Sequence, residues 1–140
     1  MLIRFFVLFL LVCNYEAVSA GANLALHKNY ELSPQPNYPL CTDSSDVIQL
    51  TDGLSCGSQW TDISTVGWVK AEPVVEIVID LGQVFAIDQV RINTIGGGFA
   101  SVEFPDFVAV LISDDSIEFK FAGLVSSKEL ANIRSVGYQG

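Results

Sequence analysis

The chain has 140 residues, half of them hydrophobic, and a formal net charge of −9. So acidic a balance leaves no basic footprint for nucleic acid and no basic patch for anionic lipid, but it suits neutral ligands and cations. The length allows one domain with a real core.

The opening stretch, MLIRFFVLFLLVCNYEAVSA (1–20), places Arg4 ahead of an apolar run from Phe5 to Cys13, and small residues follow. That order of charge, short apolar segment and small-residue cleavage site is the pattern of a secretory signal. The run is about ten residues, whereas a bilayer span needs roughly 20, which disfavours the alternative of an uncleaved anchor. Cleavage after Ala20 or Ala22 leaves a chain that begins near Asn23. Arg4 and Glu16 leave together, so the acidic excess is unchanged. The expected location is secreted, periplasmic or extracellular, with no membrane insertion after cleavage.

Cys13 departs with the leader, and an even pair remains, Cys41 and Cys56. In an exported chain such a pair reads as a disulfide. Closing a loop of about 15 residues contributes roughly 3 kcal/mol when chain entropy alone is counted. The other readings are two free thiols or half of a metal site.

Next comes HKNYELSPQPNYPLCTDSSD (27–46), with three Pro among Asn, Asp and Ser. These residues preset turns or bond their own backbone, which predicts ordered coil. In VVEIVIDLG (74–82), Val75, Ile77, Ile79 and Leu81 alternate with Glu76 and Asp80. A period of two predicts a half-buried strand. A second strand is expected in AIDQVRINT (86–94), where Val90 and Ile92 alternate with Gln89, Arg91 and Asn93. FVAVLIS (107–113) is apolar on both faces, as in the middle of a sandwich. After the acidic turn SDDS, EFKFAGLV (118–125) alternates again through Phe119 and Phe121.

A single short helical turn is expected in SKELANI (127–133). Short strands separated by Gly, Pro and Asp turns predict an all-β sandwich. The last thirteen residues, KELANIRSVGYQG, are weakly patterned. A sandwich without its closing strand would expose a sheet edge. The expectation is therefore a domain over 23–140 that lacks its last strand or a larger C-terminal partner domain.

NLAL (23–26), LTDG (50–53) with a following Trp, VVEIVIDLGQVFAIDQVRI and FPDFVAVLISDD occur in an order that resembles the galactose-binding-like superfamily. This group comprises discoidin or coagulation-factor type C domains and the carbohydrate-binding modules of secreted bacterial enzymes. The likeness runs from about Asn23 to Val125, most of the mature chain, and rests on motif order rather than on any single motif. It implies a jelly-roll β-sandwich of eight strands that binds ligands with loops at one end. One departure concerns the hairpin S-D-D-G, in which Ser116 replaces the usual Gly.

The resemblance also implies a structural calcium ion in the loop QLTDGLSCGSQW (49–60). The matching ligands are the main chain of Gln49, the carboxylate of Asp52 and the carbonyl of Leu54. Calcium takes about six to eight oxygens, and Asp52-Gly53 is equally a plain tight turn. Trp60 is expected in the core, and Trp68 either in the core or at the surface. Sugar sites combine an aromatic face with short polar groups that re-pair hydroxyls. The candidates are Tyr38, Trp68, Arg91, Phe99 and Glu103, with Asn93 beside Arg91.

Enzymatic patterns are poor. His27 is the single His, and no nucleophile elbow accompanies it. Asp43/Asp46 and Asp114/Asp115 are paired acids in turn-like segments, where a solvated acid is the ordinary reading. GGG at 96–98 lacks the Lys and helix of a phosphate loop. The expected function is a secreted, non-catalytic module that binds carbohydrate. The alternatives are the amino-terminal piece of a glycoside hydrolase or polysaccharide lyase, and an adhesion or structural domain.

Overall fold

The computed structural model describes Leu8–Phe9 and residues 21–54, 59–69, 74–96 and 102–126. Among them are five strands and one 3-10 turn, with no α-helix. The strands are β1 (Leu8–Phe9), β2 (Tyr30–Ser33), β3 (Glu76–Ile79), β4 (Phe107–Ile112) and β5 (Lys120–Ser126); the 3-10 turn spans Ser44–Val47. The all-β expectation is met at this level.

β3 forms where the alternation predicts it. Val75, Ile77, Ile79 and Leu81 are all buried, while Glu76 and Asp80 face solvent. The strand ends at the D-L-G turn: the Gly82 N–H donates to Asp80 Oδ1 at 2.7 Å, and Gly82 has φ of +80°, a conformation that costs glycine little.

The partner of β3 corrects the sequence reading. Tyr30–Ser33, expected as coil, is a strand that pairs antiparallel with it, Leu32 opposite Ile77 and Tyr30 opposite Ile79. Leu32 faces the core and Glu31 faces out. The burial of Leu32 on Ile77 and Ile79 outweighs the turn preferences of its neighbours. The ladder stops at Ser33, next to the cis Ser33–Pro34 bond.

β4 and β5 form where strands are expected, but Phe121 and Leu124 of β5 are exposed, so the expected inward face of β5 is not buried. The two strands pair antiparallel from Phe107↔Ser126 to Ile112↔Lys120, with a bulge at Val110/Leu111, which locally bends and twists the ribbon. The other side of β4 pairs in parallel with β1, so the sheet order is β1–β4–β5.

A second correction concerns 86–94. The segment joins no ladder among the described residues. Its apolar positions are nonetheless used, since Phe85, Ile87 and Ile92 pack against the core. Alternation specifies which side chains turn inward; a ladder also needs a neighbouring backbone in register. The core itself is Leu32, Trp68, Val75, Ile77, Ile79, Leu81 and Val108, so one β4 residue meets the β2–β3 layer. Each such side chain contributes about 1.5–3 kcal/mol when fully buried. The expected helical turn in 127–133 lies outside the described residues.

Candidate functional site

Two of the landmark motifs meet at Thr51. Its hydroxyl donates to the Lys28 carbonyl at 2.7 Å, and its carbonyl accepts from the His27 N–H at 2.6 Å. This cross-link ties the opening NLALH segment to LTDG, and Thr51 is itself buried. Gly53 follows with φ of +81°, and a Cβ there would stand 2.8 Å from Leu26 Cδ1. The positive φ is what favours glycine here, since the Leu26 side-chain end is exposed enough to move aside.

Asp52 holds this turn. Its Oδ1 accepts the Leu54 N–H at 2.7 Å, an Asx turn of the ordinary kind. Leu54 itself is largely exposed. The expected calcium ligands thus lie on one loop, but the geometry of Asp52 is explained by the turn alone. Among the described residues no three acidic, His or Cys side chains gather as a metal would require.

A different set of oxygens is left over in the same neighbourhood. Among the described residues, both carboxylate oxygens of Asp46, Oε1 of Gln49 and Oγ1 of Thr65 are buried without a hydrogen bond of good geometry, the Asp43 backbone N–H being the one weak donor toward Asp46. Asp46 and Gln49 share the turn that begins at Ser44, where the Gln49 N–H bonds the Ser45 carbonyl. The Gln49 side chain then crosses to donate to the Ile63 carbonyl, beside Thr65. Burial pushes the Asp46 carboxyl above its ordinary range; the Asp43 backbone N–H opposes this and the Asp43 charge adds to it. Acceptor oxygens of this kind are satisfied by ordered water or by a hard cation.

The sugar-binding candidates divide. Trp68 is 3% exposed, and its indole N–H donates to the Pro34 carbonyl at 2.8 Å; it belongs to the core and has no face free for stacking. Tyr38 lies next to it, half-buried, because the Asn37 and Tyr38 N–H groups both donate to the Gly67 carbonyl. A Cβ at Gly67 would come within 3.1 Å of both Cys41 Sγ and Tyr38 Cβ. Glu103 is half-buried and packs near Gly96. Arg91 is exposed, its Nε donating to Gln89 Oε1 at 3.0 Å, and Asn93 is exposed too. Phe99 lies outside the described residues, as does Cys56, the expected partner of the buried Cys41. Among the described candidates, only Tyr38 and Trp68 are linked, through the contacts of Tyr38 with Gly67, the residue before Trp68.

A concave surface occurs elsewhere, along β2. Tyr30, Glu31, Leu32, Gln35 and Val47 line a groove of about 220 Å³. The Tyr30 hydroxyl donates to the Asp46 carbonyl and accepts the Leu50 N–H, which fixes the ring. Gln35 is held by its Nε2, which donates to the Leu32 carbonyl at 2.7 Å. The groove is a shallow surface feature, bordered by a half-buried Tyr, an exposed Glu, a Gln and two aliphatic residues. Sequence reasoning passed over these residues because they sit in the Pro-rich stretch; the alternation of Tyr30 and Leu32 was the signal that could have found them.

One acid of each pair, Asp43 and Asp115, is occupied structurally. Asp43 Oδ1 caps the 3-10 turn through the Ser45 N–H. Asp115 Oδ1 accepts from Ser113 Oγ and from the Ile117 and Glu118 N–H groups. These bonds, the Glu118 amide foremost, hold its carboxyl below the ordinary range.

No protein-family model, curated protein or solved structure matches the chain.

Proposed function

We propose that the chain is a secreted, non-catalytic carbohydrate-binding module, a jelly-roll β-sandwich of the galactose-binding-like type. The observation that carries the reading is the groove along β2, bordered by Tyr30, Glu31, Leu32, Gln35 and Val47, which sets an aromatic residue beside a carboxylate and an amide. A pyranose presents an apolar C–H face and hydroxyls that must be re-paired on leaving water, and this lining answers both needs. The motif order adds support, since the β3 strand with its D-L-G turn and the Thr51 link between NLAL and LTDG are realised in the fold. A structural calcium ion held by the Gln49 main chain, the Asp52 carboxylate and the Leu54 carbonyl, as the resemblance implies, belongs to the same reading. Its role is to fix the loop that backs the groove.

The test is a glycan array and affinity electrophoresis on the exported, processed protein. The expected result is binding to a neutral glycan that Glu31→Ala weakens at least tenfold without altering the melting temperature. A folded protein that retains no glycan overturns the proposal, and so does binding that is indifferent to Glu31→Ala.

A further inference from the structure

Beside the groove, the loop surface is apolar where a surface is ordinarily polar. Val47, Ile48, Leu50 and Leu54 follow one another along a single turn-rich segment, and each is 40–75% exposed, as are Leu26 and Ile63. The last two adjoin the segment in space. Leu26 Cδ1 stands beside Gly53, and the Ile63 carbonyl accepts the Gln49 side-chain amide at 2.5 Å. Single exposed aliphatic residues are ordinary, whereas a cluster of them marks a contact surface. The segment is well tied down. The Tyr30 hydroxyl donates to the Asp46 carbonyl and accepts the Leu50 N–H, the Thr51 N–H donates to the Ile48 carbonyl, and the Thr51 hydroxyl donates to the Lys28 carbonyl. A surface held in this way loses little conformational freedom when it is covered.

Charge selects the occupant. Asp43 opens the turn at Ser44, Asp52 lies between Leu50 and Leu54, and Asp62 precedes Ile63. Burial pushes the Tyr30 phenol up; the Leu50 N–H opposes this, and the negative charges of Asp46 and Asp52 add to it. No Lys or Arg lies within 43–54 or 59–65, and the Lys28 amine lies by Gly82 instead. A second copy docked by this face would set these acids against one another in a symmetric contact, in a chain that carries −9 overall. An anionic membrane is repelled for the same reason. A glycan would leave its hydroxyls unpaired against aliphatic side chains. An apolar face flanked by Lys and Arg complements both parts of the surface.

We propose that this loop surface docks a basic amphipathic segment of another protein, whose apolar face covers Ile48, Leu50, Leu54 and Ile63 while its cations meet Asp43, Asp52 and Asp62. The surface shares only Val47 with the groove along β2, so this contact goes beyond the carbohydrate reading and does not depend on it.

The probe is a fluorescent Leu/Lys peptide patterned as an amphipathic helix, titrated against the full chain by anisotropy, with a scrambled peptide of equal composition as reference. The patterned peptide is expected to bind at least tenfold more tightly than the scrambled one. Ile48→Ser/Leu54→Ser should weaken that binding at least tenfold with the melting temperature unchanged. Glu31→Ala should leave it as it was, so the two readings fail separately. Equal affinity for the two peptides, or for the double variant and the parent chain, overturns the proposal. Should the double variant fail to fold, Ile63→Ser on the neighbouring loop takes its place under the same criterion. Sedimentation and flotation with phosphatidylcholine vesicles read the other occupants. A dimer or vesicle binding that the substitution abolishes assigns the face to a second copy or a neutral membrane and overturns the proposal.

Discussion

The carboxylate of Asp46 is buried, and burial raises its carboxyl above the ordinary value against an opposing hydrogen bond from the Asp43 backbone. The folded state then holds the proton more tightly than the unfolded chain. Stability therefore falls as pH rises from the unfolded value through the raised folded one, and is level above it. Asp46→Asn removes the buried charge and is expected to stabilise by about 1 kcal/mol at neutral pH. The gain should shrink toward pH 4, as read from urea midpoints at the two pH values. Asp62 and Asp115 act in the opposite sense, since backbone N–H groups, of Ser64 and of Glu118 and Ile117, hold their carboxyls low. What they contribute is present above the ordinary carboxylate value and lost as pH falls through the lowered one. Next to Asp115, Ser116 has φ of +61°, the conformation for which the resembling hairpins use glycine. An L-residue there costs about 1–2 kcal/mol, part of which glycine returns through its freer unfolded chain. Ser116→Gly should therefore raise stability by about 0.5–1 kcal/mol, measured as a higher melting temperature, and a lower one would refute the strain.

The strands differ in how their residues are held, and truncation should expose the difference. Ile79 is 2% exposed inside the β2–β3 ladder, while Ile92 packs half-buried from a segment without a ladder. Ile79→Ala is expected to cost about 2–5 kcal/mol. Ile92→Ala should cost less than half as much, and equal losses in denaturant titration would show that 86–94 is as firmly packed as β3. The same contrast explains what was legible beforehand. In β3 four apolar residues alternate without interruption, so its inward face could be read directly. β2 offers only Tyr30 and Leu32 before Pro34, and its strand character comes from Ile77 and Ile79 across the ladder, which local sequence does not contain. The 86–94 segment shows the converse, with a legible face and no backbone partner among the described residues. Trp68 could not be assigned from its own neighbourhood either. Its place in the core depends on a bond to the Pro34 carbonyl, 34 residues away, and the groove on β2 became visible only with the ladder that creates it.

At the scale of the molecule, the question is what holds the coil-rich half to the sheets. Residues 37–41 are tied to 67–69 by main-chain bonds to Gly67 and by the Asn37 side chain, whose Oδ1 accepts the Val69 N–H at 2.6 Å. Cys41 is buried at that junction, 1% exposed, against the position of Gly67. A disulfide from Cys41 to Cys56 would anchor the 49–60 loop to this same point, so the loop and the 37–41 turn would unfold together. We expect the processed chain, denatured without reductant, to show no reactive thiol. Denaturation matters because a thiol as buried as Cys41 reacts slowly in the folded state whether or not it is paired. Reduction should then lower stability by about 3 kcal/mol, the loop-closure value for about 15 residues. Two thiols per chain in the non-reduced sample would refute the pairing. In that case Cys41 would serve as a small apolar residue filling the junction, and Cys41→Ala would cost no more than the loss of one buried side-chain atom, about 1 kcal/mol. With the disulfide present, the same substitution should instead approach the full effect of reduction, so a single stability measurement on Cys41→Ala separates the two states.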